Sequence, residues 1–130
     1  MADKKIAKSN SELALEAHQK QVKSAKDAES STIASMMGKT KTIVVAQDTD
    51  HEYSLTLQFP GVARAMEIED IASNQYGNMV FSLLMKEAIK DVIVSPKINS
   101  LDFWDTHAGL GEVTIQVLTF LNDGINGEIK

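Results

Sequence analysis

Lys41-Thr-Ile-Val-Val-Ala-Gln47, Asp48-Thr-Asp-His51 and Glu52-Tyr-Ser-Leu-Thr-Leu-Gln-Phe59 together decide how this chain begins to fold. The first segment is rich in β-branched residues, and the third alternates apolar and polar with period two. Tyr53, Leu55, Leu57 and Phe59 therefore share one face of a strand, while Ser54, Thr56 and Gln58 share the other. The polar run 48–51 between the two segments reads as a turn, so the pair is a β-hairpin. Pro60-Gly61 ends the second strand, because proline lacks the amide that a central strand donates.

Downstream of that boundary the period becomes helical. Val62, Met66, Ile68 or Glu69, and Ala72 form one stripe of a first helix, with Gly77 suited to a left-handed cap after it. Residues 79–92 form the most apolar helix: Val80, Phe81, Leu83, Leu84, Met85, Ala88, Ile89 and Val92 cover more than half its circumference. Such a helix is packed from more than one direction, within the monomer or against a partner. Pro96 closes this region, since the residue before a proline is pushed toward extended backbone. One helical turn over 100–105, with Leu101 and Trp104 inward, precedes a last helix over about 112–122 lined by Val113, Val117, Phe120 and Leu121. The fold class expected is α+β: a small antiparallel β-hairpin or sheet packed with three to four helices, with Leu55, Leu57, Phe59, Phe81 and Leu84 in its core.

Upstream, residues 1–35 carry helix signals with little to bury. Ser9 and Glu12 have capping-box spacing, Glu16 and Lys20 stand one turn apart, and Ile6, Leu13, Leu15 and Val22 are the bulky apolar residues of the first 32 positions. This stretch is expected to be a flexible or helical N-terminal arm, loosely attached, followed by the α+β domain over 36–122 and a turn-rich tail over 123–130. Length permits little more, for the chain has 130 residues.

Composition narrows the function. Thirteen Lys and Arg against eighteen Asp and Glu give a net charge of -5, which opposes binding to nucleic-acid phosphates or an anionic membrane surface. The absence of cysteine excludes disulfides, zinc-thiolate sites and a cysteine nucleophile, and fits a reducing cytoplasm. No apolar run reaches the roughly 18 residues of a membrane span. Gly38-Lys39-Thr40 has the end of a phosphate-binding loop, but Ile33 occupies the position of its first glycine and a strand follows instead of a helix. Gly109-Leu-Gly111-Glu-Val-Thr114 lacks the third glycine of a dinucleotide fingerprint. Asp48, Asp50 and Glu52 beside His51 are the one seed of a cation site, yet Tyr53 and Phe59 stand where a calcium loop needs Gly and Glu. His18, His51 and His107 lie in separate segments without metal-ligand spacing, and Arg64 is the only arginine. No catalytic residue, cofactor or metal is expected.

The order of these segments resembles a family. Tyr53-Ser-Leu-Thr-Leu-Gln-Phe-Pro-Gly-Val62, a helix containing Arg64, Tyr76-Gly77-Asn78, Val92-Ile-Val-Ser-Pro-Lys97, Leu101-Asp-Phe-Trp104 and Phe120-Leu-Asn122 are similar to the tail assembly chaperones of long-tailed bacteriophages, over roughly residues 40–122. That resemblance implies a non-enzymatic protein of the host cytoplasm. It would bind the long, helical, aggregation-prone tape measure protein, keep it soluble until the tail tube polymerises around it, and be missing from the mature virion. The major tail tube protein is a further candidate partner, and a homo-oligomer is expected. The N-terminal arm has no counterpart in the resemblance. Met79, Leu83, Met85, Phe103, Trp104, Ile115 and Leu118 are the candidate partner-binding residues, because a helical partner needs an apolar, adaptable groove and methionine repacks readily. The alternative is a structural tube or joining subunit retained in the virion. A third reading, a small enzyme or an inhibitor of host defence, would have to be built on 48–52.

Overall fold

The structure, a computed structural model, describes Ala28 and residues 30–130. The predicted arm falls largely outside the described residues; Ser35–Lys130 form one compact unit. Its elements are β1 (Thr40–Val45), β2 (Tyr53–Gln58), α1 (Val62–Ile71), α2 (Phe81–Asp91), β3 (Ile93–Ser95), a 3-10 turn (Leu101–Asp105) and α3 (Leu110–Ile125). The protein is an α+β fold, among the described residues a three-stranded antiparallel sheet in the order β1-β2-β3 packed with α1, α2 and α3.

β1 and β2 pair as the hairpin alternation requires, with Ile43 opposite Leu55 and Val45 opposite Tyr53. The turn between them is closed from within. Glu52 Oε1 accepts from the amide of Asp48 (2.8 Å), and the Thr49 hydroxyl donates to the carbonyl of Ala46 (2.7 Å). These bonds hold Ala46 and Asp48 at positive φ, a conformation L-residues adopt only under local support. Ile43, Val45, Leu55, Leu57 and Ile93 are buried on the inner face beneath the helices. The other face presents Thr42, Val44, Ser54 and Val94, all of them exposed.

Three local differences from the sequence reading have physical causes. A third strand follows α2 immediately: Ile93 pairs with Leu57 and Ser95 with Thr56. Three residues are too few to show a period of two, and the apolar helix in front absorbs Val92 into its own pattern. In α1 the buried stripe is Ala65, Ile68 and Ala72, leaving Val62 and Met66 exposed. Small alanines let the helix approach the core closely, so the stripe runs through them and not through the bulkier side chains. Phe81, expected in the core, is exposed at the first position of α2, whereas Leu84, Met85, Ala88 and Ile89 are buried.

Gly109 precedes α3, and its φ of 87° is left-handed and suits a residue without Cβ. The helix runs to Ile125, beyond the expected end at 122, and buries Val113, Thr114, Val117, Phe120, Leu121 and Gly124 against α1, α2 and β1. The segment after it turns back so that Ile129 is buried, its carbonyl accepting from Lys39 Nζ (3.2 Å). Leu55, Leu57 and Phe59 lie in this core as the alternation requires, and burying each such side chain stabilises the fold by about 1.5–3 kcal/mol.

Candidate functional site

The 3-10 turn and the loop after it are clamped to β2 by an aromatic cluster. Ser100 Oγ caps the turn by accepting from the amide of Asp102 (3.1 Å). Trp104 Nε1 donates to the Tyr53 hydroxyl (3.0 Å), which donates in turn to the carbonyl of Ala108 (2.5 Å). His107 stacks on Phe103, with ring centroids 3.8 Å apart and planes 5° from parallel. Its Nδ1 donates to the carbonyl of Phe103 (2.8 Å), which fixes the orientation of the ring. Burial raises the Tyr53 phenol above its ordinary pKa, the indole bond opposes that, and Glu112 adds to it.

Between this cluster and the β1–β2 turn lies an open groove of about 550 Å3, lined by His51, Glu52, Tyr53, Asp105, Thr106, His107 and Ala108. Its polar groups are largely committed to holding the backbone: Glu52 caps the turn, Tyr53 bridges Trp104 and Ala108, and His107 is tied to Phe103. Among the described residues no three His, Cys, Asp or Glu side chains gather closely enough to hold a metal ion. No helix among them is long and apolar enough to cross a membrane.

The seven candidate partner residues fall into three environments. Met85 and Trp104 are buried, Trp104 retaining 9% of its surface. Met79, Leu83, Phe103 and Leu118 are partly buried and pack on the core. Ile115 alone stands well clear, 56% exposed on α3. Phe103 and Trp104 meet edge to face at 5.0 Å, within the clamp just described. Exposed apolar side chains occur elsewhere, at Met37, Val62, Met66, Tyr76 and Phe81. The alternative helical phase Ala65, Ile68, Ala72 was the signal for the α1 members of that set.

Arg64 organises the acidic side of the two helices. Its Nε pairs with Asp91 (2.7 Å), Nη1 with Glu67 (2.9 Å) and Nη2 with Glu87 (2.9 Å), and Lys90 pairs with Glu87 from the other side (3.1 Å). The start of α1 is thereby tied to the end of α2. The Arg64 bond, and after it that of Lys90, holds the Glu87 carboxyl below its ordinary pKa, and Arg64 itself is raised, chiefly by Glu87. A carboxylate with a depressed folded pKa stabilises above its unfolded value, and that contribution disappears as pH falls through the folded value. Arg64→Met, which keeps the stem and removes the charge, is expected to cost about 1–2 kcal/mol near neutrality because the network is only partly screened. The gap to the parent protein should narrow below pH ~4 as Glu87 protonates; chemical denaturation at pH 7 and at pH 3 measures both.

What this geometry defines is a class, a small α+β domain with an internally braced groove and dispersed exposed apolar side chains. Comparisons with protein-family models, with curated proteins and with solved structures find no match in any of the three.

Proposed function

We propose that this protein is a tail assembly chaperone of a long-tailed bacteriophage, acting in the host cytoplasm without making or breaking bonds. It binds the tape measure protein, keeps it soluble until the tail tube polymerises around it, and leaves before the virion matures. The observation that carries the reading is the ordered series Leu57-Gln-Phe-Pro-Gly61, Val94-Ser-Pro-Lys97 and Leu101-Asp-Phe-Trp104, whose order resembles that family. Exposed methionines at positions 37 and 66 add support, because thioether side chains conform to varied apolar partners. Net negative charge keeps such a complex in solution. Self-association would let several copies coat one extended partner through weak, repeated contacts, with the tail tube protein taking over the same partner.

Co-expression tests this. The tape measure protein of the same genome should move from the insoluble to the soluble fraction when this chain is present, and the two should co-purify. Mass spectrometry of finished particles should find the tape measure protein but not this one. Insoluble tape measure protein in both cultures, or this chain recovered in stoichiometric amounts from virions, would sink the reading.

A further inference from the structure

We propose that the outward face of α1 is the docking surface for a basic amphipathic helix, one whose apolar stripe is flanked by lysine and arginine. The identity of that helix as a segment of the tape measure protein rests on the reading above; the surface itself does not. On a helix, side chains four apart lie one turn above another, so Val62, Met66 and Asp70 form one row. Val62 is 46% exposed and Met66 50%, while Ala65, Ile68 and Ala72 carry the burial of the same helix. Met37, 69% exposed, extends the row past the helix start, its Sδ lying 3.6 Å from where a Cβ on Gly61 would be. The result is a narrow apolar ridge of two pliable thioethers and a valine, a shape that seats between the side-chain rows of another helix.

Charge selects the occupant. Arg64 is the only cation of α1, and it is consumed by Glu67, Glu87 and Asp91. Glu69 and Asp70 have no ion pair among the described residues, and Glu69 Oε2 is buried without a hydrogen-bond partner. Burial, and then the Asp70 charge, push the Glu69 carboxyl up in pKa, the condition an incoming cation would relieve. A second copy docking by the same face would bring like charges together, and an acidic membrane surface would meet the same repulsion.

The test uses the full chain and two fluorescein-labelled peptides of about 18 residues, five turns of helix. Both carry leucine at helical spacing; one has lysine at the remaining positions and the other glutamate. Anisotropy should show binding of the lysine peptide alone, weakened at least about tenfold by the charge-neutral Met66→Gln, by Asp70→Lys, and by raising salt from about 50 to about 500 mM. Both substitutions are at exposed positions, so circular dichroism should be unchanged, and Ile115→Asp on α3 should leave binding intact. Equal binding of the two peptides, or undiminished binding of the lysine peptide to Met66→Gln, overturns the proposal. So does no binding at all. Lysine-peptide binding at α1 without rescue of the tape measure protein would leave this surface standing and remove the chaperone; rescue indifferent to Met66→Gln would do the reverse.

Discussion

Gly124→Ala is expected to lower the unfolding free energy by about 1–2 kcal/mol, although alanine is the better helix former. A Cβ at position 124 would overlap three ring carbons of Phe59. That ring has nowhere to go, being buried and set edge-on against Phe120 at 6.3 Å and 79°. Nor can α3 shift, because Val117, Phe120 and Leu121 lock the same face into the core. Overpacking of this kind costs about 1–3 kcal/mol, occasionally more, and exceeds the roughly 1 kcal/mol of propensity that alanine gains over glycine. Shortening the opposing side chain isolates the cause. In the double variant with Phe59→Leu, the penalty of Gly124→Ala should shrink by at least about 1 kcal/mol, a coupling that only contacting residues show. Urea denaturation of the four proteins measures it; a Gly124→Ala protein as stable as the parent would place the ring elsewhere.

The same pair explains why the chain's last helix reads too short from sequence. Asp123-Gly124 and Asn126-Gly127 carry turn chemistry, and nothing local tells that Gly124 makes room for a phenylalanine 65 positions earlier. Where burial follows a local period, the reading succeeds: Leu55, Leu57 and Phe59 alternate into the core because a strand must alternate. It fails where the deciding partner is distant. α1 turns its alanines inward and its methionine outward since the space beneath it is already occupied by α2 and α3, information absent from ten residues of helix. β3 exists because β2 offers an open edge, a property of the hairpin and not of Ile93-Val-Ser95.

The proposed docking surface follows in its chemistry from the composition, and in its place only from the fold. An acidic, cysteine-free chain with apolar helices points to contact with another protein, but helices share their apolar residues between core and surface, and only the fold divides them. Arg64 shows the same limit. As the only arginine it reads as too little for anion recognition, whereas the tertiary structure brings Glu87 and Asp91 to it from 23 and 27 residues away. Its pairing strips α1 of free positive charge and so gives the exposed face its acidic character.

Trp104→Ala should separate the two duties that sequence leaves joined. Trp104 was a candidate for the partner surface, yet it is buried, packs on Phe103 and supplies the donor that the Tyr53 hydroxyl accepts. Removing a buried tryptophan costs about 3–5 kcal/mol. The remaining exposure of the ring argues for the lower half of that range, and the Tyr53 hydroxyl, still bonded to Ala108, limits the polar part of the loss to about 1 kcal/mol. An unfolding free energy lower by about 3–4 kcal/mol is therefore expected, followed by circular dichroism because this is the chain's only tryptophan. Ile115→Asp, at the exposed member of the same candidate set, should stay within about 0.5 kcal/mol of the parent. Any loss of partner capture by Trp104→Ala should then track its unfolded fraction and be recovered by cooling or by a stabilising osmolyte. Full stability with capture abolished would put the indole in the interface, and the clamp on β2 would no longer account for it.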